Sequence, residues 1–540
     1  MFDEQSYLER YIRKGEVTIM KGRSLAILVF LLLFATVCTV QVAEAEQYSL
    51  YGKPLNLAGY ISQGVALSLN HKGYYDTARD VQSLLTNVFL EGDYSLKDNL
   101  RLYTAGMFTA DWVYDAKSNN QEWNDQLFNK SRNNLYMDNE YWQLLKEAHV
   151  TWSPGDFTFR FGKQVVAWGE TDGFRLMDQI NPMDQSRGFS DVEFESSIIP
   201  IWLLKTEYYP KVETGWLQDL GFEFVFNPNV SFIPNKTIQP GNDLSGIWAP
   251  NARIDNPFVP GGEIHLGSAD TYDVDKPRSL SSKGFEYGFR IKGIVKDAIV
   301  TLNYFYGIDN SPTVWNMPIA SRIEMASDGK MLLHPNFQGR YDLIRFAGGT
   351  FSRDIPFLKS SALGGVAPVI RLEAFYLFGN TLAAADTTSR GMLYHTDEVR
   401  WALGVDWKVR VPFINPRSGI TIMPQFYHRK ILNYPNGRNL IEHDNQALID
   451  PNNYMTTLML STSYMNNKLT PSFFWMWDIN RRADMFRYQI QYDHSSNWRY
   501  TLGAMFLGGR DNMNNGVMNN SFEFYDHKDY LFMKVTYRWG

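Results

Sequence analysis

Along much of this chain apolar and polar side chains alternate with a period of two, in runs of about ten residues. The clearest run sets Val399, Trp401, Leu403, Val405, Trp407 and Val409 against Glu398, Arg400, Ala402, Gly404, Asp406, Lys408 and Arg410. Phe285, Tyr287, Phe289 and Ile291 alternate likewise with Glu286, Gly288, Arg290 and Lys292. Phe486, Tyr488, Ile490 and Tyr492 do the same with Arg487, Gln489, Gln491 and Asp493. In a strand this spacing sends every second residue to one face, so each run has an apolar and a polar side. A soluble sandwich alternates as well, with its apolar side inward. Connection lengths and export signals separate the two cases.

The connections alternate between short and long. Tight turns are read at Lys97-Asp98-Asn99, Ser153-Pro154-Gly155-Asp156, Lys296-Asp297, Asn466-Asn467-Lys468 and His494-Ser495-Ser496-Asn497, all built from turn formers. Long polar stretches span 114–143, 169–197, 230–283, 309–341, 380–397, 431–454 and 509–528. The pattern predicts an all-β fold, a transmembrane antiparallel β-barrel of about eighteen strands with sixteen as the alternative, short turns periplasmic and long loops outside. Alternation is weakest near 199–208 and 342–353, and near 419–430 Pro424 removes a ladder donor and favours a bulge. In the last run Leu531, Met533, Val535, Tyr537 and Trp539 oppose Lys534, Thr536 and Arg538. It ends on an aromatic near the terminus, where an outer-membrane assembly signal is expected.

From Met20, Lys21 and Arg23 precede an uncharged apolar run, Leu25 to Val37, and Ala43-Glu44-Ala45 supplies a cleavage pattern. Residues 20–45 therefore read as a signal peptide, residues 1–19 as an upstream mis-start, and residues 46–540 as a single barrel domain. The apolar run falls short of the roughly 18 residues a spanning helix needs. Cleavage removes Cys38, the only cysteine, which suits an oxidising periplasmic route. Residues 1–45 carry five basic and five acidic residues, so the net charge of -6 stays with the remainder. That balance excludes a basic nucleic-acid binder. Aromatics make up 15% of the chain, enough to furnish girdles at two membrane interfaces.

The most specific local pattern is Arg160-Phe161-Gly162-Lys163-Gln164, then Trp168-Gly169-Glu170, then Asn181-Pro182-Met183-Asp184 and Ile198-Ile199-Pro200. Across these residues the chain resembles a proteobacterial family of outer-membrane barrels known as a domain of unknown function, number 1302. The resemblance implies a porin-like or lipid-handling barrel that works alongside an inner-membrane permease or a periplasmic carrier, with outer-membrane lipid and the assembly machinery as its other partners. From the residues themselves, Trp168 and Gly169 are expected where a strand meets the outer interface, which favours an indole, and Gly169 allows a sharp change of direction. Lys163 is expected to snorkel. Glu170, Asp172, Arg175, Asp178, Asp184 and Arg187 then crowd both signs of charge into one loop. Two readings stay open: the loop folds into the lumen as a constriction, or its own ion pairs tie it above the rim.

Strand parity sends Arg160, Glu286, Arg290, Arg371, Glu373, Arg400, Asp406, Arg410, Arg487, Asp493 and Arg538 inward, a mixture of signs that indicates no strong ion selectivity. Phe375, Leu377, Phe474 and Met476 share that face, as a plug contact or a greasy path would require. His149 is expected inward, beside Glu147 and Thr151, and His428 on the lipid face. Neither a Gly-x-Ser-x-Gly elbow nor a His-Glu-x-x-His helix occurs, so an enzyme is not expected, nor a metal or cofactor. The Asn and Asp run at 511–516 lacks the ligand spacing of a calcium loop. The expected function is an outer-membrane channel or transporter for small solutes or for hydrophobic or lipidic compounds. A structural or adhesive surface barrel is the second reading and a barrel hydrolase the third.

Overall fold

The computed structural model describes residues 47–69, 81–116, 144–171, 176–184, 197–212, 214–236, 253–255, 259, 262–266, 270–317, 321–325, 331–359, 364–384, 393–441, 448–509, 513–514, 517–518, 522 and 529–540. The leader read at 20–45, the stretch before it and residues 511, 512, 515 and 516 of the Asn/Asp run lie outside these residues.

Eighteen strands form the wall: β1 Lys53–Ser68, β2 Leu85–Lys97, β3 Leu100–Asp111, β4 Leu145–Trp152, β5 Phe157–Gln164 and β6 Ile201–Tyr208. They continue as β7 Leu217–Asn227, β8 Glu286–Val295, β9 Ala298–Ile308, β10 Leu343–Asp354, β11 Val369–Ala384 and β12 Leu393–Val409. The last six are β13 Ile420–Leu432, β14 Asn452–Ser461, β15 Leu469–Asp478, β16 Ala483–Asp493, β17 Trp498–Gly508 and β18 Tyr530–Trp539. Each strand pairs antiparallel with the next, and β18 returns to β1 from Gly59↔Trp539 to Ser68↔Tyr530. Closure leaves no sheet edge in the wall, which a barrel in lipid requires.

Side-chain parity follows the sequence pattern. On β8 and β9, Phe289, Ile291, Leu302 and Tyr304 are exposed outward while Glu286, Gly288, Thr301, Asn303 and Phe305 are buried inward. Leu302 is 61% exposed and its neighbour Thr301 1%, a contrast that fits a lipid-facing exterior. Outward rings pair across strands, as in Phe157 on Tyr208 at 4.5 Å and Phe473 near Tyr488 at 5.0 Å. His428 is indeed on this outer face, stacked on Tyr454 at 4.6 Å.

The three weakly alternating strands form, as β6, β10 and β13. Opposite Pro424 the β12–β13 ladder is interrupted between Gly404↔Gln425 and Trp407↔Ile422, but the register resumes unchanged, so the expected bulge is a gap. Two pairings are lost there, Val405 with Pro424 and Asp406 with Met423, while β14 still pairs through Pro424↔Leu458. At one rim the connections are tight: Lys296 and Asp297 both take positive φ, 46° and 67°, as a two-residue hairpin needs. The other rim holds most of the long connections; the link 355–368 lies instead at the tight rim, and the reversal between Asp478 and Ala483, where Arg482 has φ 53°, is short.

The long connections are not merely polar coil. Thr271–Asp275 runs parallel to Asn336–Arg340 in a three-stranded sheet, and Glu263–Leu266 parallel to Met331–His334 in a six-stranded one. A bridge Ile254↔Val517 joins the second sheet to the connection before β18. Arg322 and Asp270 tie these layers at 2.9 Å, and that hydrogen bond holds the Asp270 carboxyl below the ordinary carboxylate range.

Candidate functional site: a loop held inside the lumen

The chain leaves the wall at Gln164 and returns to it at Ile201, and the segment between is fastened to inward side chains of six other strands. Its departure is prepared by Gly162, whose φ of +139° few other residues tolerate and whose Cβ would meet Ala148 O at 2.2 Å. Lys163 does not snorkel. It is 2% exposed and donates from Nζ to Leu145 O at 2.6 Å, because the turned strand end carries it under its neighbour rather than to the interface. Gln164 is buried and donates to Leu203 O at 3.1 Å.

Trp168 is not at the outer interface. It is fully buried in the barrel, where Nε1 donates to Glu223 Oε1 at 2.7 Å and the ring meets Phe346 edge-on at 6.4 Å. The indole finds its polar partner on a nearby wall strand, so the ordinary reason for an interfacial Trp is met inside. Gly288 makes the space: a Cβ there would stand 2.7 Å from Trp168 Cη2.

Glu373 of β11 is the centre of the attachment. Its Oε1 accepts from Glu170 N and Thr171 N, both at 2.6 Å, and from Thr171 Oγ1 at 2.8 Å, while Oε2 accepts from Met177 N at 3.1 Å. Arg371 donates to Glu170 O at 2.7 Å and pairs with Asp406 at 2.6 Å. Arg290 pairs with the Glu170 carboxylate at 3.1 Å. Within the loop, Asp178 Oδ1 accepts from Trp168 N and Gly169 N, each at 2.7 Å. Asn181 accepts from Val166 N at 2.7 Å and donates to Gln164 O and Ile199 O, which clasps the outgoing and returning legs. Beneath these bonds Val166, Met177, Ile180 and Ile199 pack on the inward residues Leu203, Val225, Phe305, Phe346, Phe375 and Leu377. The polar bonds set the position and the apolar contacts exclude water from them.

Of the loop residues singled out from sequence, Trp168, Gly169, Glu170 and Asp178 are thus gathered at the wall. Asp184 is buried further along and lies 3.9 Å from Lys236 of the next long connection. Asp172, Arg175 and Arg187 lie outside the described residues. Of the inward set, Arg290, Arg371, Glu373 and Asp406 hold the loop. Arg400 pairs with Glu398 at 2.7 Å and lies over Phe375. Glu286 points inward but faces no open lumen, since its carboxylate accepts from Asn227 Nδ2 at 2.6 Å and Ile308 N at 3.0 Å. Arg160 reaches Thr151 Oγ1 at 3.3 Å, and Asp493 joins Arg499 at 2.7 Å and Arg538 at 3.2 Å near the tight-turn rim. Arg487 lies over the Phe532 ring at 4.9 Å. His149 stacks on Tyr103 and stands 4.0 Å from Glu147. Among the described residues no three metal-ligating side chains converge.

Sequence reasoning did not select Glu223, and it named Asn181 within the motif and Gly288 within a strand without giving either a role in the site. Glu223 was accessible, because outward Phe222, Phe224 and Phe226 force it inward. Between loop and wall lies a cleft of about 210 Å³, lined among others by Asp178, Gln179, Asn181, Asn310 and Arg400.

The fold and this site define a class: a closed antiparallel barrel in which a wall-anchored loop occupies part of the lumen. The chain belongs to the family described as "Protein of unknown function (DUF1302)", whose model matches residues 68–539. No curated protein matches it. Among solved structures it is similar to OmpF of Salmonella typhi in complex with daunomycin, at 9% identity and TM-score 0.41, over 92% of this chain and 100% of that one. It is similar also to OccAB3 of Acinetobacter baumannii, at 8% and 0.44 over 91% and 100%, and to OccK5 (OpdH) of Pseudomonas aeruginosa, at 7% and 0.40 over 90% and 98%.

Proposed function

We propose that this protein is a porin-like outer-membrane channel whose lumen is narrowed by the loop between Val165 and Pro200. The observation that carries the reading is the Glu373 carboxylate, which spends both oxygens on a loop inside the barrel rather than on water or a reacting group. A barrel of this size left open would admit solutes indiscriminately, and an anchored loop narrows it without rebuilding the wall. The tight-turn rim then faces the periplasm and the long connections form an outer cap. Small solutes pass beside the loop, and no step of catalysis is involved.

The test is conductance in planar bilayers. The parent should give discrete steps, and removal of the loop's middle, Thr171 to Arg187, should enlarge them while the barrel still inserts. A silent parent, in bilayers and in solute-entry assays, would overturn the channel reading. Unchanged steps from a deletion variant that inserts normally would move the constriction elsewhere.

A further inference from the structure

The loop claims one side of the lumen, and the wall from β13 to β18 has a different lining. Register places Met423 opposite Met459, Met459 opposite Phe474, Phe474 opposite Arg487 and Arg487 opposite Met505. One step away Met476 faces Met485 and Met485 faces Leu507. Paired residues share a face, and Met505 and Met485 are buried inward while Tyr488 and Ile490 of the same sheet are exposed outward. All these methionines therefore face the lumen. Met533, by contrast, pairs with Val65 and Leu502 on the outer face and is 40% exposed. If methionine served here only as lipid-facing filler it would be found outside, and a channel for hydrophilic solutes would carry polar side chains inside. Methionine is instead the side chain that adapts to irregular apolar partners.

A cavity of about 250 Å³ opens on this lining, bounded by Met459, Ser472, Phe474, Arg487 and Gln489. Arg487 brings a cation to it, with the guanidinium steadied by Gln489 Oε1 at 3.1 Å and by the Phe532 ring. Gly503 is what lets that ring lie flat across the strand, since a Cβ there would come within 2.3 Å of it. Apolar walls with one oriented charged group are the usual composition of a site for an amphipathic ligand, and a guanidinium matches a carboxylate or phosphate fork. We infer that the β13–β18 wall binds and conducts a single-chain amphiphile, an alkyl chain with one anionic head, the chain lying along the methionines and the head at Arg487. This names the substrate class of the channel proposed above and rests on that reading.

The full protein, in lipid nanodiscs with 13C-labelled methionine methyls assigned by Met→Leu substitution, supplies the test, with dodecanoate as the probe. Met459, Met476 and Met505 signals should shift saturably, whereas Met533 reports only partition of the probe into lipid and should not follow them. Arg487→Gln should weaken the saturable response to dodecanoate about tenfold and leave that to dodecanol nearly unchanged. Lysophosphatidylglycerol in place of dodecanoate tells whether a phospholipid head is preferred to a free carboxylate. Shifts at Met533 that track the lumenal ones, or an R487Q variant that responds like the parent, would overturn the inference. A protein that conducts ions but gives no saturable shift would overturn it while leaving the channel standing. A preparation that neither conducts nor admits solutes would instead sink the channel itself.

Discussion

Glu373 stands where a wall side chain would ordinarily meet the water of the lumen, yet it is fully buried and accepts four hydrogen bonds from the loop. A bond to an ionised group contributes roughly 1.5–3 kcal/mol, and a buried donor left unpaired costs about 1–3 kcal/mol. Glu373→Ala is therefore expected to release the Glu170 end of the loop, seen as larger and noisier single-channel steps, with Glu373→Gln falling between because its amide keeps one acceptor. Equal, quiet conductance from the alanine variant would show that packing alone holds the loop. Gly288 of β8, three strands from Glu373 along the wall, gives an independent probe. Its missing side chain is the room Trp168 occupies, so Gly288→Ala should cost about 1–3 kcal/mol by overpacking, measured as a lower unfolding midpoint in denaturant. Because Trp168 is buried against Phe346, its fluorescence should shift to longer wavelength in the same variant.

At the scale of elements, strand order and facing were legible because alternation is a local signal read from neighbouring residues. The β7–β8 and β9–β10 connections read as polar loops, and nothing in their sequence marked the two small sheets, since short strands paired parallel across separate connections leave no periodic trace. The inward course of the loop after Gln164 was left open for a related reason. Its charges are visible in sequence, but the wall groups that hold the loop's indole, backbone and Glu170 carboxylate, namely Glu223, Arg290, Arg371 and Glu373, are supplied by strands distant in sequence. Even the Trp-Gly-Glu corner misled, because an indole suits a membrane interface and a buried carboxylate equally well. Wall strands carry their own prediction. Leu302→Arg, on the outer face of β9, should impair insertion by roughly 2–4 kcal/mol if near mid-bilayer, read as loss of folded protein in outer-membrane fractions, while Thr301→Ser on the inner face should leave levels unchanged.

For the whole molecule the two rims are chemically unlike, and orientation follows from that difference. One rim carries mostly turns and short connections, such as Lys296-Asp297 and Asn466-Asn467, with the link 355–368 its longest, while the other carries connections that fold into sheets of their own. A barrel inserted from the periplasm must pull one set of connections through the bilayer, and short turns left behind leave the long ones outside. The last strand completes that process, since β18 pairs with β17 on one side and β1 on the other and no wall exists until it does. Epitope tags placed near Asn436, at the long-connection rim, should accordingly be labelled on intact cells, whereas tags at Asn467 or Ser496 should be labelled only after the outer membrane is permeabilised. Tags at both rims reacting equally on intact cells would reverse or abolish the assigned orientation. With it would go the reading of the sheeted loops as an outer cap, because a cap on the periplasmic side would shield the lumen from the periplasm rather than from the medium.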